Sequence, residues 1–288
     1  MKNRSFRAVP FLLPALLIYL AVIIIPAFYS LYLSFFKWNG VAAQKIFVGF
    51  GNYLDLFFKD TVFLMAIRNN VLWTLLSLVF TSTTALGFAM LLNRQFRGRT
   101  IFRGLFYFPY ILSGIVVALM WSWIYHPQLG FLNSLLGGVG LSRLERGWLS
   151  EPGIAFFAVF VAALWQSLGA PMVLYLAGLQ TIPQEMQESA RIDGANPLQA
   201  FFHITIPLLK ETFVIVLATT LISSMKVFDI VFAMTGGGPA QTTQTLATWM
   251  YFQTFNFANI GTGTAISWIL VLVVMIITVP YVLYMARD

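Results

Sequence analysis

Tyr110, Ser113, Gln166, Ser167, Ser223, Ser224 and Lys226 are polar or aromatic residues set inside long apolar runs, and Asp229 follows Lys226 by three positions. Hydroxyls and amides exchange hydrogen bonds with a polyhydroxylated ligand, and aromatic rings cover its C–H faces, so this set suits reversible binding of a sugar. Bond-breaking chemistry finds no comparable set. A GxxxxGK[ST] phosphate loop is absent, and none of the six lysines (Lys2, Lys37, Lys45, Lys59, Lys210, Lys226) follows a glycine. The clusters at Gly137-Gly138 and Gly236-Gly237-Gly238-Pro239 read as turns. Zero cysteines exclude thiolate nucleophiles and Cys-based metal sites, and the two histidines, His126 and His203, are far apart along the chain. No GxSxG elbow or intrahelical carboxylate pair points to hydrolysis. The expectation is a protein with no catalytic residues and no metal site.

A second polar region, residues 187–209, reads QESARIDGANPLQAFFHITIPLL between two apolar runs. Thr181 with Pro183 and Glu185 predicts a capped helix start, with acid where the helix dipole favours it. That helix is expected to reach Asp193 and stop at Gly194 in the left-handed region. Asn196-Pro197 then opens a second helix carrying Leu198, Phe201, Phe202 and Ile206, which Pro207 is expected to interrupt. The prediction is a helix-turn-helix elbow, although an amphipathic linker lying on a membrane fits the same pattern.

These groups need elements to carry them. The chain is 59% hydrophobic and 9% charged, with mean hydropathy +0.82, which marks an integral membrane protein. A hydrocarbon core of about 30 Å takes roughly 20 apolar helical residues per crossing. Six segments reach that length: residues 11–36, 71–92, 105–125, 152–180, 212–234 and 261–286. They exceed the roughly 10-residue alternating strands of a membrane barrel. The first also outruns a signal-peptide core of about 7–15 residues, so it is expected to be retained. Helix rise puts Ser167 roughly 22 Å and Ser223 roughly 17 Å into their segments, near the middle of a bilayer. There a serine serves either a ligand or a neighbouring helix. Lys226 and Asp229 are expected on one helix face, paired along an outward cavity or snorkelling to the surface. With the N-terminus inside, ten Lys and Arg fall on the cytoplasmic side against six on the other, which predicts cytoplasmic termini and a cytoplasmic elbow. The net charge of +7 then reads as a topology and lipid-surface signal, not nucleic-acid binding.

The spacing Glu188-Ser189-Ala190, three residues, Gly194, nine residues, Ile204-Thr205-Ile206-Pro207 resembles the EAA loop of binding-protein-dependent ABC importer permeases, departing from it at Ser189 and Ile206. FLLPALLIYLAVIIIPAFYSLYLSF, RGLFYFPYILSG and KVFDIVFAMTGGGPAQTTQT resemble the carbohydrate branch of that family, maltose-type and glycerol-phosphate-type, and the first of its two permease subunits. The resemblance implies an all-α membrane protein with six transmembrane helices, the type-1 ABC importer permease fold and a cytoplasmic coupling helix. It implies a tail, helix and external loop over residues 1–68, a permease core over 69–284 with its coupling loop at about 183–210, and a cytoplasmic end at 285–288. It implies a multi-pass protein of a prokaryotic inner membrane, partnered by a homologous permease, two ATPase subunits and an extracytoplasmic solute-binding protein. ATP and Mg would sit on the ATPase, with no cofactor on this chain. Tyr110, Gln166, Ser167, Ser223 and Ser224 fall at positions matching the family's substrate site. Glu188, Ala190, Asp193, Gly194, Phe201, Phe202 and Pro207 fall in its ATPase-coupling loop. A gradient-driven transporter using Lys226 and Asp229 is the alternative, and a membrane-embedded enzyme a weaker third.

Overall fold

The computed structural model describes residues 4–285, and they are overwhelmingly helical. The expected termini carrying Lys2 and Arg287 lie outside the described residues. Three continuous helices are long and apolar enough to cross a membrane: Leu12–Ser34, Thr61–Asn93 and Ile260–Tyr281. Three bent pairs make up the other spans: Arg99–Ile111 with Gly114–Ile124, Ile154–Ser167 with Gly169–Thr181, and Pro197–Leu208 with Lys210–Met225, bent by 101°, 44° and 71°. The six expected spans are therefore present, but three are not uninterrupted helices.

Each bend has a local cause. At Leu112 the backbone turns extended (φ −70°, ψ 144°), and Ser113 restarts the helix as an N-cap whose Oγ accepts from Val116 N–H at 3.4 Å. In the fourth span Pro171 has no N–H for the carbonyl of Ser167, one turn back, next to the 44° bend. In the fifth span the helix runs through Pro207 rather than ending there, because a π-turn at Phe201–Thr205 precedes it and the bend falls at Leu209. The same span breaks again at residues 226–228 before the short helix Asp229–Thr235. Lys226 ends one helix and Asp229 starts another, so they do not share a helix face. Thr181 is also a correction: it closes Gly169–Thr181, bonding back to Gly178 O, and the elbow helix starts at Gln184. Gly137-Gly138 ends the helix Phe131–Gly138 instead of forming a turn.

By contacts the described chain forms two compact units. One takes the chain up to Leu64 with Trp249–Val271; in it Asn52 Nδ2 donates to the carbonyls of Ser34 and Phe36 at the end of the first span. A two-residue antiparallel pairing, Phe36–Lys37 with Ile46–Phe47, follows. The other unit, Met65–Thr248 with Leu272–Asp288, holds two apolar clusters. Trp73 meets Phe156 and Phe160 edge-on in the first, at 5.6 and 5.3 Å between ring centroids. The second surrounds Tyr175, fully buried among Met172, Ala85 and Leu209, its hydroxyl bonded to Ser82. Buried hydroxyls in such a core find partners because an unpaired one is costly.

Close approach of the helix Gly169–Thr181 to Lys210–Met225 depends on Gly178, where a Cβ would fall 2.3 Å from Thr212 Oγ1 and 2.9 Å from Leu209 Cδ2. Gly178→Val is expected to destabilise by about 1–3 kcal/mol, the usual cost of overpacking. Gly87 has open space around its Cβ direction, so Gly87→Ala is expected to be neutral or to stabilise by about 0.5–1 kcal/mol through backbone entropy. Thermal melts of the detergent-solubilised protein compare the two.

Candidate functional site

The breaks in the third, fourth and fifth spans face one cavity of about 580 Å³. Of the residues singled out in the sequence, Tyr110, Gln166, Ser167, Ser223, Ser224 and Lys226 line it, together with Asp229. Ser113 does not; its hydroxyl is the N-cap described above, and its neighbour Gly114 takes the lining position. Gly114 is obligatory, since a Cβ there would lie 2.9 Å from Asp229 Cβ. Gly169 likewise lets the fourth span reach Tyr110, whose Cβ would be 2.8 Å from an added Cβ.

The polar lining divides by its hydrogen bonds. Gln166 Nε2 donates to Leu112 O at 2.8 Å, replacing the Val116 N–H that an unbroken helix would have supplied. Ser224 is buried and bonds across to Thr74 Oγ1 at 3.1 Å, so its first task is joining helices. Ser167 and Ser223 bond back to their own helix, at Leu164 O and at Thr219 O and Thr220 O. Ser223 is exposed to the cavity. Lys226 and Asp229 are also exposed, and among the described residues no ion pair joins them. Each instead complements a helix end, the cation at a C-terminus and the carboxylate in a first turn.

Trp73, Ser77 and Thr81 on the second span and Phe228 on the fifth complete the wall. The spacing of four between Trp73, Ser77 and Thr81 is the signal that sequence reasoning missed: it puts an aromatic and two hydroxyls on one helical face. The cavity thus offers aromatic surfaces, hydroxyls, one amide and two unpaired charges of opposite sign.

The second candidate region is the elbow. Gly194 sits at φ +83°, and Ala195 N–H closes the helix Gln184–Ile192 by bonding Ala190 O at 2.9 Å. Asn196 and Gln199 form a reciprocal capping box, each side chain accepting from the other's N–H at 2.8 Å. Ala190 is buried, while Glu188 is exposed and accepts from Gln184 Nε2 at 2.8 Å. Phe201 packs against the Tyr175 cluster and meets Phe202 edge-on at 5.0 Å. Phe202, Leu198 and Ile192 remain exposed, Ile192 at 85%. Asp193 and Gly194 line a shallow concavity with Gln199 and His203. Pro207 lies within the helix that follows.

Residues 83–287 match the family described as binding-protein-dependent transport system inner membrane component. The chain is 37% identical over 267 residues to the probable ABC transporter permease protein YurN of Bacillus subtilis, covering 92% of this chain and 91% of that one. It is 33% identical over 270 residues to the trehalose/maltose transport system permease protein MalF of Thermococcus litoralis, covering 94% and 90%. A chain of a bacterial ABC transporter involved in import of the acidic polysaccharide alginate superposes with a TM-score of 0.84 at 23% identity, over 99% of this chain and 96% of that one.

The hydrogen-bond division ranks three substitutions. Gln166→Leu leaves the half-buried Leu112 carbonyl without its donor and is expected to cost about 1 kcal/mol or more. Ser224→Ala removes one interhelical bond, worth about 0.6 kcal/mol in membrane helices. Ser223→Ala is expected to leave the melting temperature unchanged, because its hydroxyl only doubles bonds within its own helix. An order other than Gln166, Ser224, Ser223 in thermal melts would contradict the assignment.

Proposed function

We propose a carbohydrate as the cargo of this chain, which belongs to the family of binding-protein-dependent transport system inner membrane components and forms a permease subunit of an ABC importer. The observation that carries the proposal is the cavity where three broken spans meet. Tyr110 and Phe228 offer aromatic surface there, and Ser167, Ser223 and Thr219 offer hydroxyls, the combination a sugar requires. Relatives support it: one is a trehalose/maltose permease, another the multiple sugar-binding transport permease of Streptococcus mutans.

The elbow is the proposed contact with a separate ATPase that carries ATP and Mg. A capped, glycine-stopped helix transmits a rigid push that a flexible loop would absorb. The push has a route. The elbow's second helix meets Lys210–Met225 at 71°, and that 16-residue helix, about 24 Å long, ends at Ser223, Ser224 and Lys226 in the cavity. Displacement at one end therefore reaches the lining at the other. Glu188 is the proposed charge contact with a basic group of the ATPase. Exposed Ile192, Leu198 and Phe202 supply apolar contact, and Phe201 seats the elbow. A second permease, two ATPase copies and an extracytoplasmic binding protein complete the proposed importer in a prokaryotic inner membrane, with this chain's termini and elbow on the cytoplasmic side. The similar alginate transporter was solved with a ligand-bound periplasmic protein. The gradient-driven alternative loses its basis with the family assignment and with Lys226 and Asp229 held on separate helices.

Reconstituted complexes test this. Glu188→Lys is expected to remove most of the ATPase subunit retained on purified membranes while leaving the chain inserted. A Cβ at Gly194 meets no neighbouring atoms, but Gly194→Val forces a β-branched residue to positive φ. It is expected to keep hydrolysis and lose uptake in proteoliposomes. Normal retention and normal coupling in both variants would remove the elbow from the energy path. Uptake of a labelled sugar by the chain without any ATPase would overturn the ATP-driven reading.

A further inference from the structure

Two consecutive asparagines on Thr61–Asn93, Asn69 and Asn70, are buried and lie outside the cavity lining. Asn70, 1% exposed, uses both ends of its amide: Nδ2 donates to Met225 O at 3.0 Å, and Oδ1 accepts from Leu246 N–H at 2.7 Å. Thr245 Oγ1 donates to Val227 O at 3.0 Å. In an unbroken helix those two carbonyls would accept from the N–H groups of Asp229 and Val231, four residues on. Asn70 and Thr245 thus replace helix bonds at the break. Their donors hold residues 226–228 out of helical register, with Lys226, Val227, Phe228 and Asp229 on the cavity wall.

The anchor for these donors is itself stiff. Thr243, Gln244 and Thr245 are at most 1% exposed. Thr248 Oγ1 donates to Gln244 Oε1 at 2.6 Å, and Asn69 Nδ2 donates to the carbonyls of Thr242 and Gln244, both at 2.8 Å. Gly237 leaves no slack, since a Cβ there would fall 2.2 Å from the Gln244 amide.

We propose that Asn70, with Thr245, is a positioning residue for translocation: it keeps the fifth span broken and so holds Lys226, Phe228 and Asp229 in the path. This rests on the cavity being that path. Loss of either donor tips residues 226–228 toward continuous helix and turns the wall segment about the helix axis, changing what the cavity presents to its cargo. Asn69 acts one step further back: it fastens the loop that carries Thr245 and bonds neither freed carbonyl, so its loss has a smaller effect.

The absence of cysteine allows a direct test. Val227→Cys, on the cavity wall, is introduced into the assembled importer and reacted in membranes with a sulfonated, membrane-impermeant maleimide. Adding Asn70→Ala or Thr245→Val is expected to change the labelling rate per assembled complex by about tenfold, the equivalent of one buried hydrogen bond. Asn69→Ala, which removes no bond to the freed carbonyls, is expected to change it less than either. Where Asn70→Ala fails to assemble, the near-isosteric Thr245→Val and the acceptor-retaining Asn70→Asp give the same reading. Equal labelling in every background overturns the positioning role and leaves the path assignment standing. Losses that follow only the amount of assembled complex, with the rate per complex unchanged, show a merely structural role and also overturn it. A parent Val227→Cys that does not react shows a cavity closed to water, and both readings fall together.

Discussion

A backbone carbonyl freed from its helix in a bilayer has no water to turn to, and the second unit is organised around that constraint. Leu112, Met225 and Val227 each lose the donor one helical turn ahead, and each is supplied from another part of the unit, by Gln166, Asn70 and Thr245. The cavity exists because these three substitutions of partner are affordable. They satisfy carbonyls at the breaks of the third and fifth spans, beside the residues that line the cavity. Polar residues deep in the spans are therefore divided between keeping the cavity open and facing what enters it.

Glycine sets the other boundary condition. Gly114 against Asp229, Gly169 against Tyr110 and Gly178 against Thr212 are contacts in which no Cβ fits. They bring the third, fourth and fifth spans together on either side of the breaks. Close backbone approach at such points makes the spans move as packed bodies, since side-chain rotation has no room to absorb a displacement. In the proposed coupling, a push on the elbow would be delivered through Leu209 into Lys210–Met225, which ends at the cavity wall.

Much of this was legible in the sequence because the strongest signals were local. Apolar length located all six spans, Gly194 and Asn196-Pro197 located both elbow caps, and six of the seven residues chosen for the path line one cavity. The breaks were not legible, because their causes are distant in the chain. Leu112 turns extended where Gln166, 54 residues later, can satisfy it. Residues 226–228 leave the helix where Asn70, more than 150 residues earlier, waits. Lys226 and Asp229 at a spacing of three looked like one helix face for that reason. Pro207 misled in the opposite direction: a proline usually ends a helix, but the π-turn before it already shifts the bonding pattern and lets the helix continue.

The division of polar groups also bears on how tightly the cavity can hold a ligand. Gln166 and Ser224 are committed to the protein, and Ser167 and Ser223 are partly satisfied within their own helices. Among the described residues the Tyr110 hydroxyl, the Lys226 ammonium and the Asp229 carboxylate have no hydrogen-bond partner in the chain. A ligand therefore meets aromatic surface and a few free polar groups rather than a fully convergent set of donors and acceptors. A translocation path needs that balance, since a site that bound its cargo with every available group would retain what it must release. In the proposed importer, a cavity with so few free polar groups would leave selectivity to the component that captures the cargo before it enters.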